Sequence, residues 1–237
     1  MTAVRTDPGK PGTEQASTWK VVVTGGCLAL AVTGCLTYVL HDKPSVARAT
    51  NAQPSFTQAK TSAGLTPEPP SDITWELMSG VTIPVSLSVG PTKTDGPVRY
   101  GFAHTPIGAV LAAANISTRY IFAPGDGWLQ VTQRQVEPSD GRDIFINSRR
   151  ELTDMNPPDG GLGQLAGYRL NHYTPAKARI QIAETFASGV KQTSVLTVVW
   201  RNGDWRLVLE PDGGPGPQPT VVNTLASFVP LSSGLFP

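Results

Sequence analysis

The sequence predicts an α+β protein that is anchored in a membrane. Three observations lead to this prediction: an uncharged run at Val21–Leu40, helix signals that begin at Thr105-Pro106, and alternating strand patterns in the C-terminal third. Helices followed by a group of strands indicate an antiparallel sheet with segregated helices rather than βαβ units. We expect four regions: a cytoplasmic tail at 1–18, a transmembrane helix at 19–41, a disordered linker at 42–71 and a soluble α+β domain at 72–237.

The run Val21–Leu40 predicts the anchor, because twenty helical residues extend about 30 Å, the thickness of the hydrocarbon core. Trp19 and Tyr38 lie near its two ends, where aromatic rings prefer the membrane interface. A cleaved signal peptide is one alternative. A lipoprotein signal is another, since Val32-Thr33-Gly34-Cys35 resembles a lipobox. The run stays apolar through Leu40, which favours an uncleaved anchor over lipid modification of Cys35.

Basic residues do not decide the orientation, because three precede the run and three follow it before Ser71. We expect a cytoplasmic N-terminus and an extracytoplasmic domain, since a short tail followed by a signal-anchor is the simpler insertion route. The segment His41–Ser71 contains five prolines and few large apolar residues, which is typical of a tether. The localisation we predict is therefore a single-pass cell-membrane protein.

Local signals predict the elements of the domain in order. Two short strands are expected at Trp75–Met78 and Val81–Leu87, with Pro84 placing the second at an edge or bulge. Thr105 is a suitable N-cap for a first helix because Pro106 occupies its first position. Further helices are predicted at Trp128–Val136 and from Asp140 through Met155.

The period then changes from helical to two, which predicts a sheet of about four strands. These strands are Leu165–Tyr173, Ala178–Phe186, Ser194–Trp200 and Trp205–Leu209, and Val221–Val229 is a last short helix or strand. Asn202-Gly203 predicts a type I′ hairpin turn, because both of its positions need positive φ. Such a turn places Arg201 opposite Asp204 and Trp200 opposite Trp205.

No catalytic, cofactor-binding or metal-binding residue is predicted, and we expect no enzyme. Composition is balanced, with 19 Lys plus Arg and 18 Asp plus Glu, so no direct nucleic-acid binding is expected. His104 and His172 each precede a Thr-Pro and have no further ligand at metal-binding spacing, which favours capping or packing. Both cysteines, Cys27 and Cys35, lie within the apolar run.

Three further patterns are interpreted as structural. Gly161–Ala166 fits a loose dinucleotide motif but opens a strand instead of a helix. Asn115-Ile116-Ser117, a formal glycosylation triplet, lies inside a predicted helix and is treated as coincidence. The third pattern is a group of carboxylates that alternates with Arg142, Arg149 and Arg150 and predicts a solvated, salt-bridged face: Asp140, Asp143, Glu151, Asp154 and Asp159.

Several segments resemble actinobacterial conjugative-element bitopic membrane proteins: Trp75–Leu77, Gly80–Pro84, Gly101–Ala114 and Trp200–Val208. Those proteins are similar to the inner-membrane assembly component of type IV secretion channels. The resemblance implies a cone-shaped, nuclear-transport-factor-two-like domain in which a curved antiparallel sheet wraps the helices. It also implies a scaffold in a DNA-transfer apparatus that acts through protein–protein contacts.

The expected partners are the lipid bilayer and other membrane-bound channel subunits, with a homo-oligomer as a further option. One alternative function is a tethered ligand-binding or lipid-transport accessory domain that uses the cone interior as a pocket. A cone-fold enzyme that uses His104, His172 or a carboxylate is the remaining alternative.

Overall fold

The computed structural model describes residues 66–152 and 161–234. The predicted tail, the anchor and the linker as far as residue 65 lie outside the described residues, as do Asp154, Met155 and Asp159. No helix in the two described ranges combines the length and the apolar character needed to cross a bilayer.

The described chain forms an α+β fold, as predicted. Four strands come first: β1 (Ile73–Met78), β2 (Val81–Ser86), β3 (Lys93–Asp95) and β4 (Val98–Tyr100). Three helices follow: α1 (Pro106–Phe122), α2 (Gly127–Gln135) and α3 (Asp140–Glu151). The remaining strands are β5 (Gln164–Thr174), β6 (Lys177–Thr185), β7 (Lys191–Arg201), β8 (Asp204–Val208), β9 (Thr220–Val222) and β10 (Val229–Pro230).

The main sheet is antiparallel and has the strand order β10-β5-β6-β7-β8. Its four central strands, β5 to β8, confirm the four predicted strands. The sheet has six strands rather than about four, because β9 pairs with the first residues of β7 and β10 pairs with β5. The C-terminal tail, predicted as a helix or a strand, therefore contributes two short strands.

The Asn202-Gly203 turn is confirmed, since φ is 53° at Asn202 and 82° at Gly203. Trp200 pairs with Trp205 and Arg201 pairs with Asp204, as the turn geometry predicts. Positive φ at both positions gives a two-residue loop the twist that joins adjacent antiparallel strands.

Local capping explains where the helices begin. The Thr105 side chain accepts a hydrogen bond from the Gly108 N–H at 3.2 Å, which confirms the predicted N-cap of α1. Ser139 caps α3 in the same way through the Arg142 N–H. The predicted end of α3 at Met155 is wrong, because the helix ends at Glu151 and Leu152 is already extended.

Two small hairpins lie outside the main sheet. β1 and β2 form their own two-stranded sheet, with Pro84 opposite Trp75, so Pro84 lies in an edge strand as predicted. β3 and β4 form a second hairpin that has no counterpart among the predicted elements. β3 is polar throughout, and the three residues of β4 are too few for their alternation to identify a strand.

The core lies between α1 and the main sheet. Alternate side chains of β6 and β7, including Ile180 and Leu196, pack against fully buried residues of α1 such as Leu111, Ile116 and Tyr120. One long helix covers one face of the sheet. Every second residue of the strands is therefore buried, and α1 has a nearly continuous buried face.

The last residues of the predicted linker contact the sheet. The Thr66 hydroxyl accepts a hydrogen bond from the Leu170 N–H at 3.2 Å, and the Tyr168 hydroxyl donates one to the Pro67 carbonyl. The ordered contacts of the domain therefore begin before the predicted boundary at Asp72. The chain enters the fold along β5, beside β10.

Candidate functional site

An open cleft lies between the β7–β8 hairpin, the end of α2 and β4, and has a volume of about 330 Å³. This volume is within the range of small-ligand sites, roughly 300–1,000 Å³. Polar groups line most of it, and three of them are arginines: Arg134 on α2, Arg201 on β7 and Arg206 on β8. We refer to it as the arginine cleft.

Asp204 fixes the wall of the arginine cleft that the hairpin provides. Its carboxylate accepts hydrogen bonds from the backbone N–H groups of Gly101 at 2.7 Å, Phe102 at 3.2 Å and Trp205 at 2.9 Å. The Trp205 indole donates to the Ala103 carbonyl at 3.0 Å. These contacts hold the hairpin rigidly beside the start of α1, so the cleft is a preformed surface.

Two arginines of the cleft form ion pairs with carboxylates that are at least partly exposed to solvent. Arg134 lies 2.6 Å from Asp95, and Arg201 lies 3.2 Å from Glu137. Such exposed ion pairs contribute only about 0–1 kcal/mol and exchange readily with other carboxylates. Arg206 forms no ion pair with a described residue. The cleft can therefore bind anionic groups through guanidinium forks.

Gln135 attaches the end of α2 to β4 beside the cleft. Its Nε2 atom donates to the Arg99 carbonyl at 2.6 Å, whereas its buried Oε1 atom has no partner among the described residues. Because this oxygen is buried, it is not available at the surface of the cleft.

A second polar site lies inside the fold. Glu184 on β6 is 7% exposed, and its Oε2 atom has no hydrogen-bond partner in the described part of the chain. Burial raises the pKa of Glu184 to about 8. The carboxyl lines a cavity of about 20 Å³, counted as the space open to the centre of a water molecule. That space holds about one water molecule.

The structure places the two candidate histidines apart from each other. The His104 ring stacks on Trp200, with centroids 3.9 Å apart, and its Nε2 atom lies 2.5 Å from the Pro175 carbonyl. His172 is exposed on β5, at a register shift opposite Arg179. His104 therefore packs against the sheet, as the sequence favours.

The other sequence patterns also have structural placements. Asn115 is fully buried in α1 and donates to the Pro84 carbonyl at 2.8 Å, so the formal glycosylation triplet is inaccessible in the fold. Of the predicted salt-bridged face, the described residues form one ion pair, between Arg142 and Asp143 at 3.7 Å, whereas Arg149 lies over the Trp128 ring at 5.2 Å. Gly163 precedes β5, so the glycine motif opens a strand. Residues 66–152 and 161–234 hold no cluster of three or more metal-ligand side chains.

Sequence reasoning missed both Glu184 and the arginine cleft. Glu184 had a local signal, because Ala178, Ile180, Ile182 and Glu184 alternate along β6 and so share the inward face. The cleft had no comparable signal. Its arginines come from three elements that only the folded topology brings together.

Comparisons with known proteins give one match. A family model described as a domain of unknown function (DUF8175) matches residues 41–230, a region that begins directly after the uncharged run. No curated protein and no solved structure matches the chain.

Proposed function

We propose that this chain, which belongs to the family described as a domain of unknown function (DUF8175), is a membrane-anchored, non-enzymatic scaffold. It would serve in a conjugation or type IV secretion-like DNA-transfer apparatus. The run Val21–Leu40 holds it in the cell membrane, with the N-terminus cytoplasmic and the domain outside. The arginine cleft is where the domain binds another channel subunit. The position and chemistry of this cleft carry the proposal.

The cleft lies far from the point where the tether joins the domain. Thr66 and Pro67 contact β5, whereas Arg201 and Arg206 lie on β7 and β8. β5 and β8 are separated by β6 and β7, which corresponds to about 14 Å across the sheet. A partner can therefore reach the cleft without displacing the segment that leads to the membrane.

The chemistry of the cleft fits an acidic peptide segment of the partner. Carboxylates of such a segment replace Asp95 on Arg134 and Glu137 on Arg201, and Arg206 offers a further guanidinium. The balanced composition of the chain, with 19 Lys plus Arg and 18 Asp plus Glu, favours a peptide over a nucleic acid as the occupant.

The main sheet supports the finer proposal of a cone. Register shifts between Leu165 and Gly167 and between Leu170 and His172 interrupt the β5–β6 ladder. Irregularities of this kind bend strands and increase their twist, as a sheet that wraps around helices requires. Partners confined to one membrane, including further copies of this chain, meet such a domain at a high effective concentration.

The alternative of a ligand or lipid pocket inside the domain has less support. The cavity beside Glu184 holds about 20 Å³, far below the roughly 300–1,000 Å³ of small-molecule pockets. Large buried side chains such as Tyr120, Tyr168 and Trp205 occupy the space between α1 and the sheet.

Photocrosslinking in the native membrane tests the docking site. The full-length chain carries benzoylphenylalanine in place of Arg206, or, as the control, in place of exposed Arg179 on β6. We expect position 206 to crosslink to an acidic segment of a co-encoded membrane subunit, identified by mass spectrometry, and Arg201→Glu to reduce that adduct. Equal adducts from both positions, or adducts to segments without acidic residues, would refute the cleft as the docking site.

Alkaline carbonate extraction tests the anchor separately. The full-length chain is expected to stay with the membrane pellet, and Cys35→Ser is expected to leave this behaviour unchanged because the apolar run itself holds the protein. Loss of membrane retention in Cys35→Ser would instead identify a lipoprotein. Release of the wild-type chain by carbonate would remove the scaffold proposal altogether.

A further inference from the structure

The Glu184 cavity is lined by oxygen atoms and carbon but by no cation. Thr82 of β2 and Ser117 and Thr118 of α1 contribute hydroxyls. The Ser117 and Thr118 hydroxyls donate to the Ala114 carbonyl at 3.3 and 2.9 Å, which leaves their oxygen lone pairs free to accept. A protonated Glu184 can therefore share one water with them, whereas an ionised Glu184 finds no compensating charge there.

The walls of this cavity differ in how firmly they are held. β5 and β6 belong to the main sheet, and α1 packs on α2 and on β5 to β8. The remaining wall is β2, which contributes Val81, Thr82 and Pro84. β1 and β2 form a separate two-stranded sheet, and an isolated hairpin of this size is only marginally stable in water.

Side-chain hydrogen bonds attach the hairpin to the rest of the fold at the cavity. Gln164 Oε1 accepts from the Thr82 N–H at 3.0 Å and from the Thr82 hydroxyl at 2.9 Å. Gln164 Nε2 donates to the Gly80 carbonyl at 2.8 Å, and Asn115 Nδ2 donates to the Pro84 carbonyl at 2.8 Å.

Other contacts also hold the hairpin. Glu76 pairs with Arg119 and Arg99. The Ser79 hydroxyl donates to the Phe122 carbonyl at 2.9 Å. All of these contacts involve side chains, because the hairpin shares no backbone ladder with the main sheet.

We propose that the β1–β2 hairpin is a proton-controlled lid over the Glu184 cavity, closed while the carboxyl holds its proton and opening to water when the proton is lost. This inference does not depend on the scaffold proposal. Its basis is the geometry of a buried, unpartnered carboxyl oxygen behind a cavity wall whose strands are not part of the main sheet.

The charged groups on the surrounding elements do not change this conclusion. Arg119 on α1 is engaged by Glu76 on β1, and Lys191 on β7 pairs in register with Thr185, the residue after Glu184. None of them lines the cavity. Opposite Glu184 itself lie uncharged residues, Leu165 on β5 and Gln192 on β7.

The size of the effect follows from proton linkage. The closed form holds the Glu184 proton with a pKa of about 8, whereas the open, hydrated form has the ordinary carboxyl pKa of about 4.5. Between these values only the open form releases its proton. The opening equilibrium constant therefore rises about tenfold for each pH unit and levels off above about pH 8.

Amide hydrogen exchange of the full-length chain in lipid nanodiscs measures this opening. Protection factors, which correct for the intrinsic pH dependence of exchange, are compared at pH 5.5, 6.5 and 7.5 for two sets of amides. In the wild type, the β1–β2 amides are expected to lose about tenfold protection per pH unit. The β6–β7 amides, which exchange only when the whole domain unfolds, are expected to be better protected than the β1–β2 amides at every pH. In Glu184→Gln, the β1–β2 amides should keep their protection.

Any other outcome contradicts the lid proposal. Constant protection of β1–β2 in the wild type means that Glu184 does not control the hairpin. Equal protection factors in β1–β2 and β6–β7 mean that the whole domain unfolds instead of opening locally. Equal loss in wild type and Glu184→Gln assigns the effect to another group. If Glu184→Gln fails to fold, the comparison of the β1–β2 and β6–β7 amides in the wild type is sufficient to accept or reject the lid proposal.

Discussion

The Glu76 carboxylate lies 2.7 Å from the guanidinium of Arg119, a residue of α1 that is 2% exposed. The same carboxylate lies 3.1 Å from Arg99 on β4. Glu76 therefore joins β1, α1 and β4 through one side chain. Because removing one partner of a buried pair leaves an uncompensated charge, this contact is expected to be important for stability.

Glu76→Gln is expected to destabilise the domain by about 3 kcal/mol, the lower end for breaking a buried pair, because Glu76 itself is partly exposed. Urea unfolding at pH 7 measures the change. Asp95→Asn is the matched control, since it removes an equivalent carboxylate from the exposed Arg134–Asp95 pair and should change stability by less than about 1 kcal/mol. Similar losses in both variants would contradict a special role for Arg119.

Glu184→Gln is expected to remove a pH dependence from the stability of the domain. The folded pKa of Glu184 is raised to about 8, so the unfolded chain releases this proton first, and stability falls as pH rises from about 4.5 to about 8. The slope is about 1.4 kcal/mol per pH unit, which makes the variant about 3 kcal/mol more stable at pH 7. Urea titrations at pH 5, 6, 7 and 8 test this, and parallel profiles for the two proteins would disprove it.

Glu76 has the opposite pH dependence. Burial alone would raise the pKa of Glu76, but the charge and hydrogen bond of Arg119, together with Arg99, lower it below its ordinary value of 4.5. Its stabilising contribution is therefore complete above about pH 4.5 and is lost as the pH falls further. In the Glu184→Gln background, acid titration of the unfolding free energy isolates this effect, and Glu76→Gln should abolish that part of the acid loss.

Gly203→Ala is expected to destabilise the β7–β8 hairpin by about 1 kcal/mol, because an alanine at φ 82° is strained in the left-handed region. For a domain of this size, that change lowers Tm by about 2–4 °C. Asn202→Gly is the matched control at the neighbouring turn position, where φ is 53° and glycine is equally compatible. A comparable loss in Asn202→Gly would show that the effect does not come from backbone strain.

His104→Ala is expected to lower stability by about 1 kcal/mol, since it removes a ring stacked 3.9 Å from Trp200. His172→Ala serves as the control, because His172 is exposed and makes no aromatic ring contact within the described residues. Urea unfolding monitored by tryptophan fluorescence measures both. Equal effects would mean that the stacking does not stabilise the fold.

Local chemistry predicted the elements whose signals lie within their own sequence. Thr105-Pro106 identified the start of α1, and Asn202-Gly203 identified the β7–β8 turn together with its cross-strand pairs. β3 and β4 carried no such signal, because each has only three residues. The residue after β4, Gly101, is held by a hydrogen bond to Asp204, about a hundred residues away. β9 and β10 likewise depend on pairing with distant strands.

The two candidate sites also differ in how much of each could be predicted from the sequence. Glu184 could be predicted to face inward from the alternation along β6, but its lack of a partner depends on which side chains of α1 and β2 lie opposite. The arginine cleft combines α2, β4 and the β7–β8 hairpin, so only the tertiary arrangement brings Arg134 near Arg201. Side chains recruited from separate elements leave no spacing pattern in the chain.

Both ends of the described domain meet on one strand, since Thr66 and Pro67 contact β5 where Val229 and Pro230 pair with it. A circular permutant that joins these ends and opens the chain at the exposed β6–β7 turn, near Gly189, would therefore preserve the order of every strand in the sheet. A pull applied at Thr66 acts first on the few bonds at β5 and reaches the β7–β8 hairpin last.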